Sequence, residues 1–598
     1  MHIKKLLLLL ILIIPINTIA LNKAPIDITK MDIEALNDAL NNEIITSEDL
    51  VNLYLDRINT YNDYNAIITI NDNAIEEAKK LDKERKEGKV RSIIHGIPII
   101  VKDNIDVVGM PTTAGAKSLS DNFPNADAEV IKKLKESGAI ILAKSNMSEF
   151  AFQASSSRSS YGTVKNAYNI DYSSYGSSGG SAVAVALNFA AAALGTDTNS
   201  SIRVPASASN LVGYRPTLGT ISRTGVLPYD PERDTVGVLT KNINDSIILT
   251  NIIKGYDQND NKSIKQDYQD FKITLDSLEG ITIGVPINFL KGDNSNNLSE
   301  NKETYEDIYN LMTTAISKME ANGAKIVYLD SYYTYTEDNY ATSSYSGYLF
   351  CDAFNNYIKN TTGKIKSFEE LSKSSEKITD LSGYVKSCNT TKNLDSKNEK
   401  KEKYQNYLEK IFKDKTIDVI VYPTTKNKLL KVGTSGIINL SAHAASTVGF
   451  PAISMPLGFD KDNLPYGIEF MTLKNNDDKL FNITSVYETL NSNNTLPDIP
   501  NLYEIDNEVE LLLKNYQSNT KIFRKNNYLK QVKEYLKNYN NSNDVINEAK
   551  KLNNLYKKRL YLNYLIKVAF ILLIILYLKS SKNKYTRRLN NDWLYNNR

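Results

Sequence analysis

The sequence predicts an α/β fold over residues 30–500. Short apolar runs typical of strands, among them 99–101 and 281–285, alternate along this region with helical patterns. The segment 181–194 is rich in alanine and valine, and after its first residue only Asn188 interrupts it, which indicates a helix buried on nearly all sides. We therefore expect a sheet against which helices pack.

The composition excludes several classes of protein. The 598 residues include 72 basic and 69 acidic side chains, and 41% are hydrophobic, so the chain is neither a disordered tail nor wholly embedded in a membrane. The formal net charge of +3 gives no reason to expect a nucleic-acid partner. His2, His95 and His443 show no zinc-ligand spacing, so no metal site is expected. Cys351 and Cys388 are too few for a disulfide framework, although they could pair outside the cell.

The amino-terminal residues 1–20 have the layout of a secretory signal peptide. Lys4 and Lys5 precede the apolar run 6–14, and the small residues near Ala20 suit cleavage after that residue. The alternative interpretation is an uncleaved anchor, for which the run is short. The main body of the chain is therefore expected to be exported.

The carboxyl-terminal region predicts a membrane anchor. Residues 561–578 are apolar or aromatic except for Asn563 and Lys567, and as a helix they would span about 27 Å, close to the ~30 Å of a bilayer core. The charged pattern of 503–560 predicts a helical stalk or cap, and 579–598 form a basic tail that fits the cytoplasm. The alternative for 561–578 is a buried amphipathic helix.

Three segments carry possible chemistry, and the first contains Lys102. This lysine ends an apolar run in the segment 96–104 (GIPIIVKDN). A lysine in such a position is usually solvated at the end of a strand. A desolvated lysine can instead lose its proton and serve as a base.

The second segment, 175–181 (YGSSGGS), runs directly into the alanine- and valine-rich helix. Taken alone, a run of glycine and serine is more often a linker or turn. A linker would not normally adjoin a buried helix, so the segment could instead cradle an anion or hold a strained serine.

The third segment, 194–205 (LGTDTNSSIRVP), contains small residues whose backbone N–H groups could converge on one point, as an oxyanion hole requires. The alternative is a polar surface loop with an ion pair between Asp197 and Arg203. No histidine accompanies these serines, so a Ser-His-Asp triad has no local support, whereas a Ser-Lys arrangement remains open.

In this order the three segments resemble the amidase signature family, serine hydrolases with a Ser-cisSer-Lys triad. The family pattern has a V-K-D-N lysine, a G-S-S-G-G-S serine loop and a G-T-D-x-G-G-S-I-R-x-P nucleophile loop, and here Ser177 follows Lys102 by 75 residues and Ser201 follows Ser177 by 24. The resemblance covers about residues 30–490. Further matching segments are 138–151, 213–217, 234–237, 449–454 and 464–468.

The resemblance implies a central mixed, twisted sheet covered by helices on both faces, and an enzyme without a cofactor. Ser201 would be the nucleophile and Lys102 the base, and Ser177 would sit on a cis peptide bond after Gly176 and bridge the two. The reaction would pass through an acyl-enzyme that water hydrolyses.

The same resemblance implies an oxyanion hole made by the backbone N–H groups of Thr198, Asn199, Ser200 and Ser201. Asn199 and Ser200 replace the two glycines of the family, and Tyr175 stands where a small residue is often found, which raises the question whether the loop keeps a working geometry. The other residues expected to support the site are Ser178, Asp197 and Arg203, whereas His95 and His443 match no catalytic position.

The leading interpretation is an exported, membrane-anchored amidase that hydrolyses a linear carboxamide to an acid plus ammonia or an amine. Its partners would be a small-molecule or peptide amide and, through 561–578, a membrane; residues 348–357 resemble a stretch of peptide-amidase-like members. One alternative is the A-type component of the tRNA-dependent amidotransferase, which the export signal disfavours. Another is a non-catalytic surface pseudo-amidase, which the intact Lys102, Ser177 and Ser201 disfavour.

Overall fold

The computed structural model describes residues 31–266, 268–290, 299–330, 332, 345–388, 394–434, 443–491 and 497. All of them belong to one unit, Asp27–Ile499. The predicted signal peptide (1–20), stalk (503–560), transmembrane helix (561–578) and basic tail (579–598) lie outside the described residues. Within the described ranges, no helix is both long enough and apolar enough to cross a bilayer.

The centre of the fold is an eleven-stranded mixed sheet, which confirms the predicted α/β class. Strands β3, β2 and β6 run parallel to one another, as do β11, β9 and β10, and the remaining neighbours are antiparallel. A separate hairpin pairs β4 with β5. The strands are β1 (Ile67–Ile70), β2 (Pro98–Lys102), β3 (Ile140–Ser145), β4 (Arg158–Ser159), β5 (Gly162–Thr163), β6 (Ala192–Asp197), β7 (Val212–Arg215), β8 (Thr235–Thr240), β9 (Thr282–Pro286), β10 (Lys325–Leu329), β11 (Val419–Pro423), β12 (Ala452–Phe459) and β13 (Pro465–Met471), and their spatial order is β1-β3-β2-β6-β8-β7-β12-β13-β11-β9-β10.

Helices pack against this sheet, for example α5 against β6 and α6 against β7 and β13. Local signals begin several of them: Thr46 and Asp49 form a reciprocal capping box before α2, and Asn242 caps α7. The helices are α1 (Ile33–Asn41), α2 (Ser47–Thr60), α3 (Ala74–Lys86), α4 (Glu129–Glu136), α5 (Gly179–Ala186), α6 (Arg203–Ala208), α7 (Ile243–Ile253), α8 (Ile287–Leu290), α9 (Ser299–Ala321), α10 (Ser346–Ile358), α11 (Phe368–Lys373), α12 (Ser382–Cys388), α13 (Asp395–Lys415), α14 (His443–Val448) and α15 (Asp477–Leu490).

The alanine- and valine-rich segment 181–194 is only partly the helix that its composition predicts. Helix α5 is buried along its whole length, as expected, but it ends at Ala186. Asn188 takes a left-handed backbone conformation (φ 55°), which is incompatible with continuing the helix, and the chain then enters β6 at Ala192. The second half of the segment is therefore the central strand that carries the nucleophile loop.

The two central parallel strands place the chemistry-bearing segments side by side. Strands β2 and β6 pair directly, with Val101 opposite Leu194, so their carboxyl ends lie at the same edge of the sheet. Lys102 is the last residue of β2 and Asp197 the last of β6. The predicted apolar runs 99–101 and 281–285 fall on β2 and β9, which confirms both as strands.

Candidate active site

Lys102 is fully buried at the carboxyl end of β2. Its Nζ hydrogen-bonds to Ser177 Oγ at 2.6 Å, to Thr196 Oγ1 at 2.8 Å and to the carbonyl oxygen of Thr196 at 3.3 Å. The interpretation of this lysine as a solvated strand end is thereby excluded. The contact joins the first and second predicted segments at one point, 75 residues apart in sequence.

Burial lowers the pKa of Lys102 to about 7, and the nearby carboxylates of Asp197 and Asp234 oppose that shift. A substantial fraction of the amine is therefore neutral at physiological pH. A neutral amine with a pKa close to the operating pH is suited to general-base catalysis.

The serine loop touches the base on one side and the nucleophile loop on the other. The Gly176–Ser177 peptide bond is cis, as the family resemblance implies. The backbone N–H of Ser178 donates to the carbonyl oxygen of Ser201 at 3.1 Å, and Ser178 Oγ donates to the carbonyl oxygen of Thr196 at 3.1 Å. Ser178 is thus the residue that fastens the serine loop to the nucleophile loop, which agrees with its expected supporting role.

The second glycine of α5 allows this loop to sit close to its neighbours. A Cβ on Gly180 would lie 2.1 Å from the backbone oxygen of Asn146 and 2.6 Å from that of Ala66. A side chain at this position would therefore collide with the backbone of two neighbouring segments.

Ser201 lies between the end of β6 and the start of α6, and it is 6% exposed. No residue in the described ranges hydrogen-bonds to its Oγ, so the predicted bond from Ser177 to the Ser201 hydroxyl is not formed. The contact through the Ser178 N–H holds the two loops together instead. Catalytic hydrogen bonds are often long in enzymes without substrate and tighten when substrate binds.

The expected oxyanion hole has the donors that it needs. Among the described residues, none accepts a hydrogen bond from the backbone N–H groups of Thr198, Asn199, Ser200 and Ser201, whereas the following N–H, of Ile202, donates to Asp197 Oδ2 at 3.1 Å. A run of N–H groups without a protein acceptor, beside a serine, is suited to holding the negative oxygen of a tetrahedral intermediate.

The replacement of the family's two glycines does not distort this loop. Neither Asn199 nor Ser200 is among the residues with positive φ, so the backbone here does not require glycine. The carbonyl oxygen of Asn199 accepts from Arg203 Nη2 and from Ser446 Oγ, both at 2.7 Å, and its Oδ1 accepts from Arg233 Nη1 at 3.2 Å. Asn199 is therefore fixed through both its backbone and its side chain.

Tyr175 is the residue that does adopt the left-handed conformation, with a φ of 56°. Its ring is fully buried against Val204, Ala208 and other apolar residues, and its hydroxyl donates to the carbonyl oxygen of Lys428 at 3.3 Å. Packing of the large side chain therefore supports a backbone conformation that a small residue would adopt more easily.

A network of buried charged side chains fixes the two ends of the nucleophile loop. Arg203 Nε donates to Asp197 Oδ2 at 3.1 Å, Arg203 Nη1 pairs with Glu469 Oε1, and Arg215 Nη1 donates to Asp197 Oδ1 at 2.8 Å. Burial alone would raise the pKa of Asp197, but the two guanidinium groups hold it well below its usual range. The predicted Asp197–Arg203 pair is thus present, though in the interior rather than on a surface loop.

Sequence reasoning missed several residues of the site. Thr196 is the second partner of Lys102, and Asn104 Nδ2 donates to Thr196 Oγ1 at 3.1 Å. Asp234, whose pKa burial raises to about 6, accepts from Thr198 Oγ1 at 2.5 Å. Arg215 and Asp234 lie in segments that match the family pattern, so that pattern could have identified them as residues of the site. Glu469 lies 266 residues from Arg203, and no sequence motif near either residue indicates their contact.

His95 and His443, which match no catalytic position of the family pattern, lie beside α3 and at the start of α14. His95 is buried beside α3, where its Nε2 lies 3.0 Å from the carbonyl oxygen of Leu81. His443 begins α14, and burial lowers its pKa to about 3, so it stays neutral.

Cys351 and Cys388 form a disulfide, with their Cα atoms 5.9 Å apart. The bond joins α10 to the end of α12. This settles the pairing that the sequence left open.

Comparison with known proteins agrees with this geometry. The Amidase family model matches residues 49–481. The chain is 32% identical over 491 residues to the A-type component of the glutamyl-tRNA(Gln) amidotransferase of Clostridium botulinum (strain Okra), an alignment that covers 77% of this chain and 97% of that protein. It is 34% identical over 451 residues to the corresponding protein of Methanosarcina mazei, covering 71% and 90%.

Solved structures agree as well. The native peptide amidase from Stenotrophomonas maltophilia has a TM-score of 0.71 at 26% identity and covers 79% of this chain and 100% of that one. The A-type component of the glutamyl-tRNA(Gln) amidotransferase from Thermotoga maritima has a TM-score of 0.61 at 26% identity, covering 79% and 99%. The chain therefore belongs to the amidase signature family and is an enzyme that acts on the carbon–nitrogen bonds of amides.

Proposed function

We propose that the protein hydrolyses a linear carboxamide to a carboxylic acid and ammonia or an amine through an acyl-Ser201 intermediate. The observation that carries this proposal is the 2.6 Å hydrogen bond between the buried amine of Lys102 and Ser177 Oγ, next to Ser201. A buried base bonded to Ser177, on a loop that contacts Ser201 through the Ser178 N–H, supports a catalytic protein over a non-catalytic pseudo-amidase.

The proton of the Ser201 hydroxyl passes through Ser177 to the neutral Lys102 as Ser201 Oγ attacks the amide carbon. The N–H groups of residues 198–201 then stabilise the tetrahedral oxyanion, each donor contributing about 3–4 kcal/mol. When the intermediate collapses, the C–N bond breaks and the proton returns through Ser177 to the leaving nitrogen. Water, deprotonated along the same path, hydrolyses the acyl-enzyme and releases the acid.

The direct test is labelling of the full chain with a fluorophosphonate, followed by mapping of the modified peptide. We expect modification at Ser201 that is lost in Lys102→Ala, because the unactivated hydroxyl is a poor nucleophile. Folded protein that takes up no probe would contradict the proposed hydrolysis.

A second candidate is the A-type component of a tRNA-dependent amidotransferase, working with partner proteins. The names of the two relatives from Clostridium botulinum and Methanosarcina mazei favour this candidate over a separate exported amidase. Its test is purification of the tagged protein from its own cells at native expression. Stoichiometric partner proteins, with amide hydrolysis that depends on them, would support it; a single polypeptide with full activity would contradict it.

For the location of the enzyme we propose export and anchoring in a membrane. This rests on the patterns of 1–20 and 561–578, and the Cys351–Cys388 disulfide adds to it, because disulfides persist mainly in oxidising compartments. The measurement is amino-terminal sequencing of the mature protein combined with carbonate extraction of membranes. A protein that begins at Met1 and is released by carbonate would contradict the proposal.

A further inference from the structure

Four aromatic rings, those of Phe152, Tyr229, Phe350 and Tyr384, pack against one another in one cluster. The ring of Phe152 stacks on Tyr384 at a centroid distance of 4.7 Å and lies 4.8 Å from the ring of Tyr229. Phe350 packs behind them, 5.1 Å from Phe152 and 5.5 Å from Tyr384. Phe350 is fully buried, whereas the other three rings are only partly buried, so they keep surface available for contact.

Phe152 is tied to the serine loop. It follows the short 3₁₀ turn Glu149–Ala151, and the residues on either side of that turn hold the loop in place. The N–H of Ser148 donates to the carbonyl oxygen of Ser177 at 3.1 Å, and the N–H of Gly176 donates to the carbonyl oxygen of Ala154 at 2.8 Å. The position of the Phe152 ring is therefore set by the segment that also sets Ser177.

Tyr229 is tied to the nucleophile loop. Its N–H donates to Asp234 Oδ2 at 2.8 Å, and Oδ1 of the same carboxylate accepts from Thr198 Oγ1 at 2.5 Å. One buried side chain thus links the Tyr229 ring to the first donor of the oxyanion hole.

The remaining rings come from a separate part of the chain. Phe350 lies on α10 and Tyr384 on α12, and the disulfide between Cys351 and Cys388 joins these two helices. The hydroxyl groups of Tyr229 and Tyr384 are 3.4 Å apart, so the polar ends of these two rings lie against each other. The three partly buried rings are therefore positioned by the serine loop, the nucleophile loop and the disulfide-linked helices α10 and α12.

We propose that Phe152, Tyr229 and Tyr384 form an aromatic wall that receives the acyl group of the substrate, and that the enzyme selects amides with an aromatic acyl group. The inference rests on the hydrolysis proposed above and names its substrate class. An aromatic group stacked or set edge-on against such rings gains attraction beyond the burial of its surface. The acyl group stays on Ser201 after the amine leaves, so the wall would hold it through both halves of the reaction.

The test measures kcat/KM of the full chain for four primary amides: acetamide, isobutyramide, 3-phenylpropionamide and L-glutamine. We expect 3-phenylpropionamide to exceed acetamide by about 100-fold, within the range that apolar pockets achieve. Phe152→Leu should reduce this ratio about tenfold, because it removes one ring of the wall. The matched control is Phe368→Leu, the same substitution at a buried ring of the same cluster that contacts Phe350 and Phe354.

Two results would overturn the aromatic wall while leaving the proposed hydrolysis intact. One is equal kcat/KM for all four amides, and the other is a preference for L-glutamine, a polar amide, over 3-phenylpropionamide. An equal loss of the ratio in Phe152→Leu and Phe368→Leu would also count against it, since both would then act through the packing of the cluster. Failure of the fluorophosphonate to label Ser201 would instead contradict the hydrolysis itself.

Discussion

Arg203 Nη2 donates to the carbonyl oxygen of Asn199 at 2.7 Å. The first residue of α6 therefore hydrogen-bonds to the loop that precedes this helix and contains Ser201. The same guanidinium contacts Asp197 and Glu469, both fully buried. Ser201 therefore lies inside a bend of chain whose two ends are fixed by one side chain.

Arg203→Met should destabilise the fold strongly. The substitution leaves Glu469 and part of Asp197 as buried charges without their partner, and breaking such a pair costs about 3–5 kcal/mol. The free energy of unfolding in urea measures the loss. The control is Lys79→Met, which removes an exposed pair with Glu76 and should leave stability nearly unchanged. Equal effects of the two substitutions would contradict a supporting role for the buried network.

The pH dependence of kcat/KM should report the titration of Lys102. The base works as the neutral amine, so activity should fall about tenfold per pH unit below the pKa of about 7 and level off above it. Lys102→Met should lower kcat/KM by about 10²–10⁴ and abolish this rising limb, with partial recovery at high pH where hydroxide replaces the base. A wild-type profile in Lys102→Met would exclude Lys102 as the base.

Ser201→Ala should abolish hydrolysis and leave the fold unchanged, since it removes one hydroxyl group. Loss of the nucleophile of a triad costs about 10⁴-fold or more in kcat. Ser200→Ala is the matched control, because Ser200 is the adjacent buried serine and its Oγ has no hydrogen-bond partner in the described structure. Steady-state rates and thermal unfolding of both variants give the comparison. Residual wild-type activity in Ser201→Ala would refute the assignment of the nucleophile.

Asn199→Gly should lower the rate of catalysis, even though glycine is the residue of the family pattern. The backbone at Asn199 gains nothing from glycine because its φ is not positive, while the hydrogen bond to Arg233 is lost. A bond of this kind contributes about 0.5–1.5 kcal/mol, or about 2- to 12-fold in kcat/KM. Asn199→Asp keeps the acceptor oxygen and serves as the comparison. A higher kcat/KM in Asn199→Gly would mean that the side chain hinders the oxyanion hole.

The disulfide should stabilise the folded enzyme. Its 37-residue separation predicts a contribution of about 2–4 kcal/mol, which the double substitution Cys351→Ser and Cys388→Ser removes. Thermal unfolding should show a lower Tm for this variant under non-reducing conditions, and a reducing agent should lower the Tm of the wild-type protein alone. An unchanged Tm on reduction of the wild-type protein would show that the bond does not constrain the fold.

The residues proposed for catalysis could be picked out from the sequence because each lies in a short local pattern. Lys102, Ser177 and Ser201 are marked by their own neighbours, and the structure brings the first two into contact and places the third on the adjoining loop. Thr196 and Glu469 were not predictable in the same way. Their roles depend on which strands pair and in what register, and that is decided by contacts between residues far apart in sequence.

The boundary between α5 and β6 is a second feature that the sequence alone does not determine. Alanine and valine suit both a buried helix and a buried strand, so composition across 181–194 does not say where one gives way to the other. The left-handed Asn188 decides it, and a single asparagine within an apolar run is too weak a signal to predict a helix end with certainty.

The strand order also has a consequence for how such an enzyme can change over generations. Every group assigned to bond cleavage lies between Lys102 and Arg203, on β2, on the loop before α5 and on β6 with the loop that follows it, whereas α10–α12 lie in the long connection between β10 and β11. Mutations in that connection leave the identity of the bond-cleaving groups unchanged. Under the aromatic wall proposed above, substitutions on α10 and α12 would therefore change the preferred amide without replacing any group that cleaves it.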